Sequence, residues 1–325
     1  NMKKAIQDLL TPYKLGIPIL EPTGKEGDFD KDMVDCPFIF WYENKFYMCY
    51  IGFDGQGYRS GLASSDELIN WKRERMILDW GKKGRFDSYG AAALSILLEN
   101  NQLGELPIPM KWQGKYWATY TGYPEKGYEK GPGSVGIVYS DNLINWEKPD
   151  FNPVIVPFDG MKWEQGGIFR TFLMKEKGIF YLFYNAKPAF SGDWIEEIGF
   201  ATSKDLKTWV RYSNNPVINR NNANNWDLVV GDPYLVKYKD KWVMFYCGVD
   251  KKNARDGIAF SFDLRQWEKV PEPILDIGTD EDIDGKHAHK PCVILYKGIL
   301  YHFYCAVDKN DYRTITVATS QHLGK

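Results

Sequence analysis

No stretch of this 325-residue chain has the roughly 18 consecutive apolar residues that a membrane-spanning helix needs. Histidine is scarce, at 4 residues, and the five cysteines (Cys36, Cys49, Cys247, Cys292 and Cys305) include no C-x-x-C pair. The usual zinc and dithiol signatures are therefore missing, and buried thiols in a reducing compartment are expected. No G-x-S-x-G, Walker or dinucleotide fingerprint stands in a strand-to-helix context. A formal net charge of -2 gives no support for nucleic-acid binding. The start, NMKKAIQDLLTPYKLG, has a lysine pair but no apolar signal core. A cytoplasmic location is expected, with the periplasm or secretion the alternative if a signal peptide preceded it.

What the chain does have is aromatic residues, 16% of the total, with twelve Trp and twenty-one Tyr. With 44% apolar and 26% charged residues this is an ordinary globular composition tilted towards strands. The aromatics fall in repeats. A serine, an acidic or amide residue, a leucine and a tryptophan recur as SSDELINW ending at Trp71, SDNLINW at Trp146, SKDLKTW at Trp209 and SFDLRQW at Trp267. Alternating strands precede them: KFYMCYIG, KYWATYTG, IFYLFYNA and KWVMFYCG, with a fifth, LYHFYCAV, near the C-terminal end. A further short strand follows each tryptophan (RMILD, PVIVP, PVINR, PILDI), whereas the fifth unit stops at VATSQHLGK. GIPILEP at 16–22 matches those fourth strands. Four short strands per unit is the pattern of a propeller blade. The expected architecture is all-β: one domain over 1–325, a five-bladed β-propeller whose last blade is closed by 16–22, with 1–15 a peripheral lead-in. Closure would remove an exposed sheet edge.

Repetition separates scaffold from chemistry. An aromatic or apolar residue followed by an acid recurs in every unit, at Asp30, Asp87, Glu164, Asp227 and Asp284, so a structural role between blades is expected. Asp87 and Glu164 lie beside irregular loops and stay candidates for substrate contact. Aligning the units on Tyr50, Tyr184, Tyr246 and Tyr304 and counting back fourteen residues reaches Cys36, Arg170, Asp232 and Lys290. One residue earlier lie Asp35, Phe169, Gly231 and His289. This register does not repeat, and it begins the inner strands, so its side chains should meet at one mouth. Two carboxylates, Asp35 and Asp232, then face three basic groups, Arg170, His289 and Lys290. Paired carboxylates are what glycosidic cleavage requires, one as acid and the other as base or nucleophile. His287 and His289 lack a Cys partner, so they are expected to hold substrate hydroxyls or an anion such as phosphate or a sugar carboxylate. No metal or other cofactor is expected. Trp41 and Trp112 are candidates to stack on sugar; His302 belongs to the core, and the glycine-rich KGYEKGPGSVG reads as a surface loop.

The SxDLxxW turns, the KFYMCYIG-type strands and the acid-Pro strand starts resemble the five-bladed propeller glycoside hydrolases of families 43, 32, 62, 68, 117 and 130. That resemblance implies a first-blade base or nucleophile at Asp35 in VDCP and an acid at Asp232 in VGDPYL. A third-blade acid of those families is replaced by Arg170 in IFRTF. Its loss, with the gain of Arg170, His289 and Lys290, looks more like the mannoside-phosphorylase side of the group. The expected activity is hydrolysis of a terminal sugar from an oligosaccharide or other glycoside. The alternatives are a phosphorylase on the same scaffold and a non-catalytic carbohydrate-binding propeller; neither nucleic acid nor membrane is an expected partner. Asp35→Asn is expected to abolish hydrolysis with little change in melting temperature.

Overall fold

A computed structural model describes residues 2–189, 194–220 and 225–324. After a helix α1 (Met2–Asp8) and a short strand β1 (Tyr13–Lys14), the chain runs through five antiparallel units. The first is β2 (Met33–Tyr42), β3 (Lys45–Phe53), β4 (Tyr58–Ser65) and β5 (Lys72–Leu78). The second is β6 (Gly90–Ile96), β7 (Lys111–Trp112), β8 (Lys115–Tyr123) and β9 (Ser134–Ser140). The third is β10 (Gly167–Glu176), β11 (Ile179–Lys187), β12 (Glu197–Ser203) and β13 (Val210–Arg211). The fourth is β14 (Val229–Tyr238), β15 (Lys241–Val249), β16 (Ala254–Ser261) and β17 (Glu268–Lys269). The fifth is β18 (His287–Tyr296), β19 (Ile299–Val307) and β20 (Arg313–Thr319). The all-β expectation holds. The first strand of each unit contacts that of the next, β2 to β6 to β10 to β14 to β18 and back to β2.

The fifth unit borrows its outer edge from the start of the chain, though not quite where the sequence pattern put it. Regular pairing with β20 is made by Tyr13 and Lys14, inside the expected lead-in, and the 16–22 stretch adds a single bridge from Leu20 to Ile315. The other fourth strands behave alike: Ile155, Ile218 and Leu275 each make one bridge. Pro18, Pro153, Pro216 and Pro273 lie two residues before these bridges, and a proline has no N–H to extend a ladder.

The repeated residues are fasteners. In four units the turn serine (Ser65, Ser140, Ser203, Ser261) accepts the N–H of the following leucine at 2.9 Å. The tryptophans wedge between units: Trp71 meets Phe303 edge-on at 6.1 Å and Trp267 meets Phe183 at 6.2 Å. Five buried tyrosines donate to the five acids of the aromatic-acid series, Tyr50 to Asp30 (2.8 Å), Tyr120 to Asp87 (2.7 Å), Tyr184 to Glu164 (2.9 Å), Tyr246 to Asp227 (3.3 Å) and Tyr304 to Asp284 (2.8 Å). Each acid also takes a cation: Arg73, Lys148, Arg211, Lys269 and Lys14, at 2.6 to 2.9 Å. Burying a carboxylate is tolerated because every one is paired and hydrogen-bonded.

Candidate active site

One device recurs in all five inner strands. Pairing with the second strand slips between Asp35 and Phe38, Ala92 and Ser95, Ile168 and Thr171, Gly231 and Tyr234, and His289 and Cys292. A bulge breaks the up-down alternation of a strand, so two consecutive side chains can face the same side. Cys36, Ala93, Asp232 and Lys290 sit at positive φ, between 49° and 65°, within these bulges. As a result Asp35 with Cys36, Ala92 with Ala93, Phe169 with Arg170, Gly231 with Asp232 and His289 with Lys290 all line one central cavity of about 360 Å³. The two registers found in the sequence converge on one place. At this pair of inner-strand positions the second unit supplies only small side chains, Ala92 and Ala93.

Asp35 is the electrostatic hub. Its Oδ2 accepts from Lys290 Nζ at 2.9 Å and Arg313 Nη1 at 3.1 Å, and its Oδ1 accepts the Cys36 N–H at 2.8 Å. Burial pushes its pKa up, but Lys290 and Arg313 prevail and hold the carboxyl well below the usual carboxylate range. Arg170 is buried on the floor. Its Nη2 donates to the carbonyls of Pro37 (3.1 Å) and Pro291 (3.4 Å), tying the third unit to the first and fifth, while Nη1 has no partner among the described residues. His289 approaches the Cys305 carbonyl through Nδ1 at 3.2 Å, and burial keeps it neutral by lowering its pKa well below the usual histidine value. His287 accepts the Ala254 N–H on Nδ1 at 3.0 Å, and burial followed by the charge of Arg313 lowers it to about 4. Asp232 donates its backbone N–H to Asn185 Oδ1 at 3.1 Å.

Four other expected substrate contacts lie outside the cavity. Asp87 and Glu164 are spent on the tyrosine-cation clasps, because they occupy the repeating scaffold position. Trp41 packs edge-on against Phe46 at 4.6 Å beside a separate depression with Tyr42, Lys111 and Tyr116. Trp112 packs against Trp117 and Phe180. His302 lies in the core as expected, bonded to Asp256 at 2.7 Å.

The sequence reading missed Glu129, Glu196 and Arg313. Seven residues before the aligned Ser65, Ser140, Ser203, Ser261 and Ser320 stand Tyr58, Gly133, Glu196, Ala254 and Arg313. That register, at the start of the third strands, is as non-repeating as the one already used, and four of its members line the cavity. Comparing the units there would have exposed Glu196 and Arg313. Glu129 carried no such signal, because it lies in the glycine-rich loop read as mere surface. That loop brings Tyr128 and Glu129 to the cavity mouth.

Among the described residues, Glu196 is the carboxyl whose pKa is raised furthest. Its Oε1 accepts from Asn185 Nδ2 at 2.8 Å and its Oε2 from Trp194 Nε1. Burial first, and the negative charge of Glu129 second, raise its pKa to about 8, against the lowering effect of those two bonds. That shift favours the protonated form of Glu196 at neutral pH. Glu129 is open to solvent at the mouth yet enclosed by the walls, and burial raises its pKa while Lys290 opposes the rise. A proton-bearing carboxyl and further carboxylates around one cavity can deliver and accept protons across a bond. Among the described residues, no group of three or more His, Cys, Asp or Glu side chains is arranged to hold a metal ion.

The family model for the glycosyl hydrolases family 32 N-terminal domain matches residues 99–280. Among curated proteins, the chain is similar to a 1,2-beta-oligomannan phosphorylase of Thermoanaerobacter sp. (strain X514), 29% identical over 158 residues, covering 45% of this chain and 52% of that protein. The match thus spans about half the length of that relative. Among solved structures, one described as an RGII complex superposes with a TM-score of 0.88 at 29% identity, covering 100% of this chain and 96% of that one. Another, from work reporting that the GH130 family of mannoside phosphorylases contains hydrolases of beta-1,2 mannosidic linkages in Candida mannan, has a TM-score of 0.69 at 14% identity, covering 95% and 94%. The fold is that of the propeller glycoside hydrolases.

Proposed function

The chain belongs to the family of the glycosyl hydrolases family 32 N-terminal domain, and from that premise we propose that it is a glycoside hydrolase built as a five-bladed propeller, with Glu196 its general acid. The carrying observation is that Glu196 lines the central cavity, held by Asn185 on one carboxyl oxygen and Trp194 on the other, where burial and the charge of Glu129 raise its pKa to about 8. As the glycosidic C–O bond breaks, the Glu196 proton goes to the leaving oxygen. Glu129 either attacks the anomeric carbon or takes a proton from the attacking water; one water is consumed and two hydroxyl groups appear. Asp35 moves from the role expected of it. A carboxylate held so far below its ordinary pKa is a weak base, so it serves better as the anchor that aims Lys290 and Arg313 at sugar hydroxyls. Asp232 remains a substrate-facing carboxylate beside them.

The similarity to an oligomannan phosphorylase keeps a second reading in view, in which phosphate replaces water. Two cations that could hold phosphate, Lys290 and Arg313, already share Asp35 Oδ2, which favours water. RGII is the first substrate to test, because the relative superposing at TM-score 0.88 is described as its complex. Incubation with and without inorganic phosphate, followed by product analysis, separates the readings. Free sugar at an equal rate in both supports hydrolysis, and phosphate-dependent sugar 1-phosphate refutes it.

A further inference from the structure

Of the twelve tryptophans only one is exposed. Trp194, at 59% exposure, stands at the wall of the central cavity, with its indole N–H donated inward to Glu196 Oε2. Ten large hydrophobic residues are exposed among those described, and of these only Trp194 and Tyr128 line the cavity. Tyr128, 44% exposed, is braced by Phe53 at 6.0 Å and Tyr58 at 5.9 Å. An aromatic face left in water at a polar cavity is the surface a sugar ring covers with its C–H side, and a Trp offers a polar edge as well. Here that edge is occupied by the acid itself.

We propose that Trp194 is the platform of a leaving-group subsite, on which the saccharide beyond the scissile bond stacks, and that its N–H is the positioning contact for Glu196. The inference rests on Glu196 being the acid. With Asn185 on one carboxyl oxygen and Trp194 on the other, rotation of the carboxyl is blocked and its proton is left free to face the cavity. A ring lying on the indole is held next to the group that must protonate its oxygen. Recognition of the leaving sugar and delivery of the proton are thereby coupled through one side chain.

The coupling predicts different defects for two substitutions. Trp194→Ala removes platform and N–H together: KM for RGII rises roughly 2- to 10-fold, the span of an aromatic stacking contact, and kcat falls. Trp194→Phe keeps a ring and loses the N–H. KM then changes little, whereas the basic limb of kcat moves to higher pH, because a bond that favoured the ionised carboxylate has gone. A substrate-independent readout is the intrinsic fluorescence. Wild-type emission should titrate with a midpoint near pH 8 as Glu196 ionises beside the indole, and both Trp194→Phe and Glu196→Gln should lose that transition. The Trp194 ring is largely exposed, so thermal melts of its variants should fall by no more than the loss of one partly buried hydrogen bond. A fluorescence titration unchanged in Trp194→Phe, or a KM unchanged in Trp194→Ala, overturns the proposal. The reading of Glu196 fails separately: Glu196→Gln retaining full activity on RGII would remove the acid while a raised KM in Trp194→Ala would still support the platform.

Discussion

Replacing Glu196 by Gln deletes one proton donor and keeps the shape of the side chain. Loss of a general acid costs typically 10²- to 10⁴-fold in rate, or about 3–5 kcal/mol of barrier. The loss should be large for a sugar leaving group, which needs the proton, and small for a dinitrophenyl glycoside, which does not. In the wild type the rate should fall on the basic side with a midpoint near 8 as Glu196 ionises. Stability carries the same signature with a definite sign. The folded-state pKa of about 8 stands above the ordinary value of 4.5, so the unfolded chain releases this proton first as pH rises. The stability tied to the protonated carboxyl is complete below about 4.5 and lost progressively up to about 8. A difference of that size corresponds to about 5 kcal/mol at most. Gln does not ionise, so Glu196→Gln should melt increasingly above wild type between those limits. Paired measurements of kcat/KM and melting temperature from about pH 4 to 9 test both arms. A wild-type rate with no basic limb below about pH 9, or a variant with full activity on an unactivated saccharide, would refute the assignment.

Asp35→Asn should now destabilise the protein, contrary to the expectation from sequence. It leaves Lys290 and Arg313, each with a side chain only 12% exposed, facing a neutral amide. A loss of about 3–5 kcal/mol is expected, measured by denaturant titration at neutral pH. Because the Asp35 pKa is depressed in the fold, this stabilisation is present above the ordinary value near 4 and fades below it, so variant and wild type should converge in acid. Tyr120→Phe removes the 2.7 Å bond to Asp87 and should cost about 1.5–3 kcal/mol without changing kcat/KM; a loss of activity at unchanged stability would return Asp87 to the site. All five cysteines are free and buried, and burial drives Cys36 up to about 12. A disulfide reagent in mildly alkaline buffer should therefore label native protein far more slowly than protein in guanidinium, where all five thiols should react.

The sequence by itself determined whatever repeats. The five tyrosine-acid clasps, the serine turns and the tryptophan wedges are each made by residues close in their own unit or at the same place in the next. Five copies therefore reveal them without any homologue. Asp35, Arg170, Asp232, His289 and Lys290 were legible for the complementary reason, that they break the repeat at the head of the inner strands. Tertiary structure decided three further things. It explained why two adjacent registers share one cavity, since a bulge in each inner strand turns consecutive residues the same way. It brought in Glu129 and Tyr128 from a glycine-rich loop whose path no local pattern specifies. It also reversed the order of the carboxylates. Asp35 and Glu196 are both acidic side chains on paper, but one meets Lys290 and Arg313 while the other meets apolar walls, Trp194 and Glu129. Proton affinity is set by those neighbours, which come from other units hundreds of residues away in the case of Asp35, and only the closed fold assembles them.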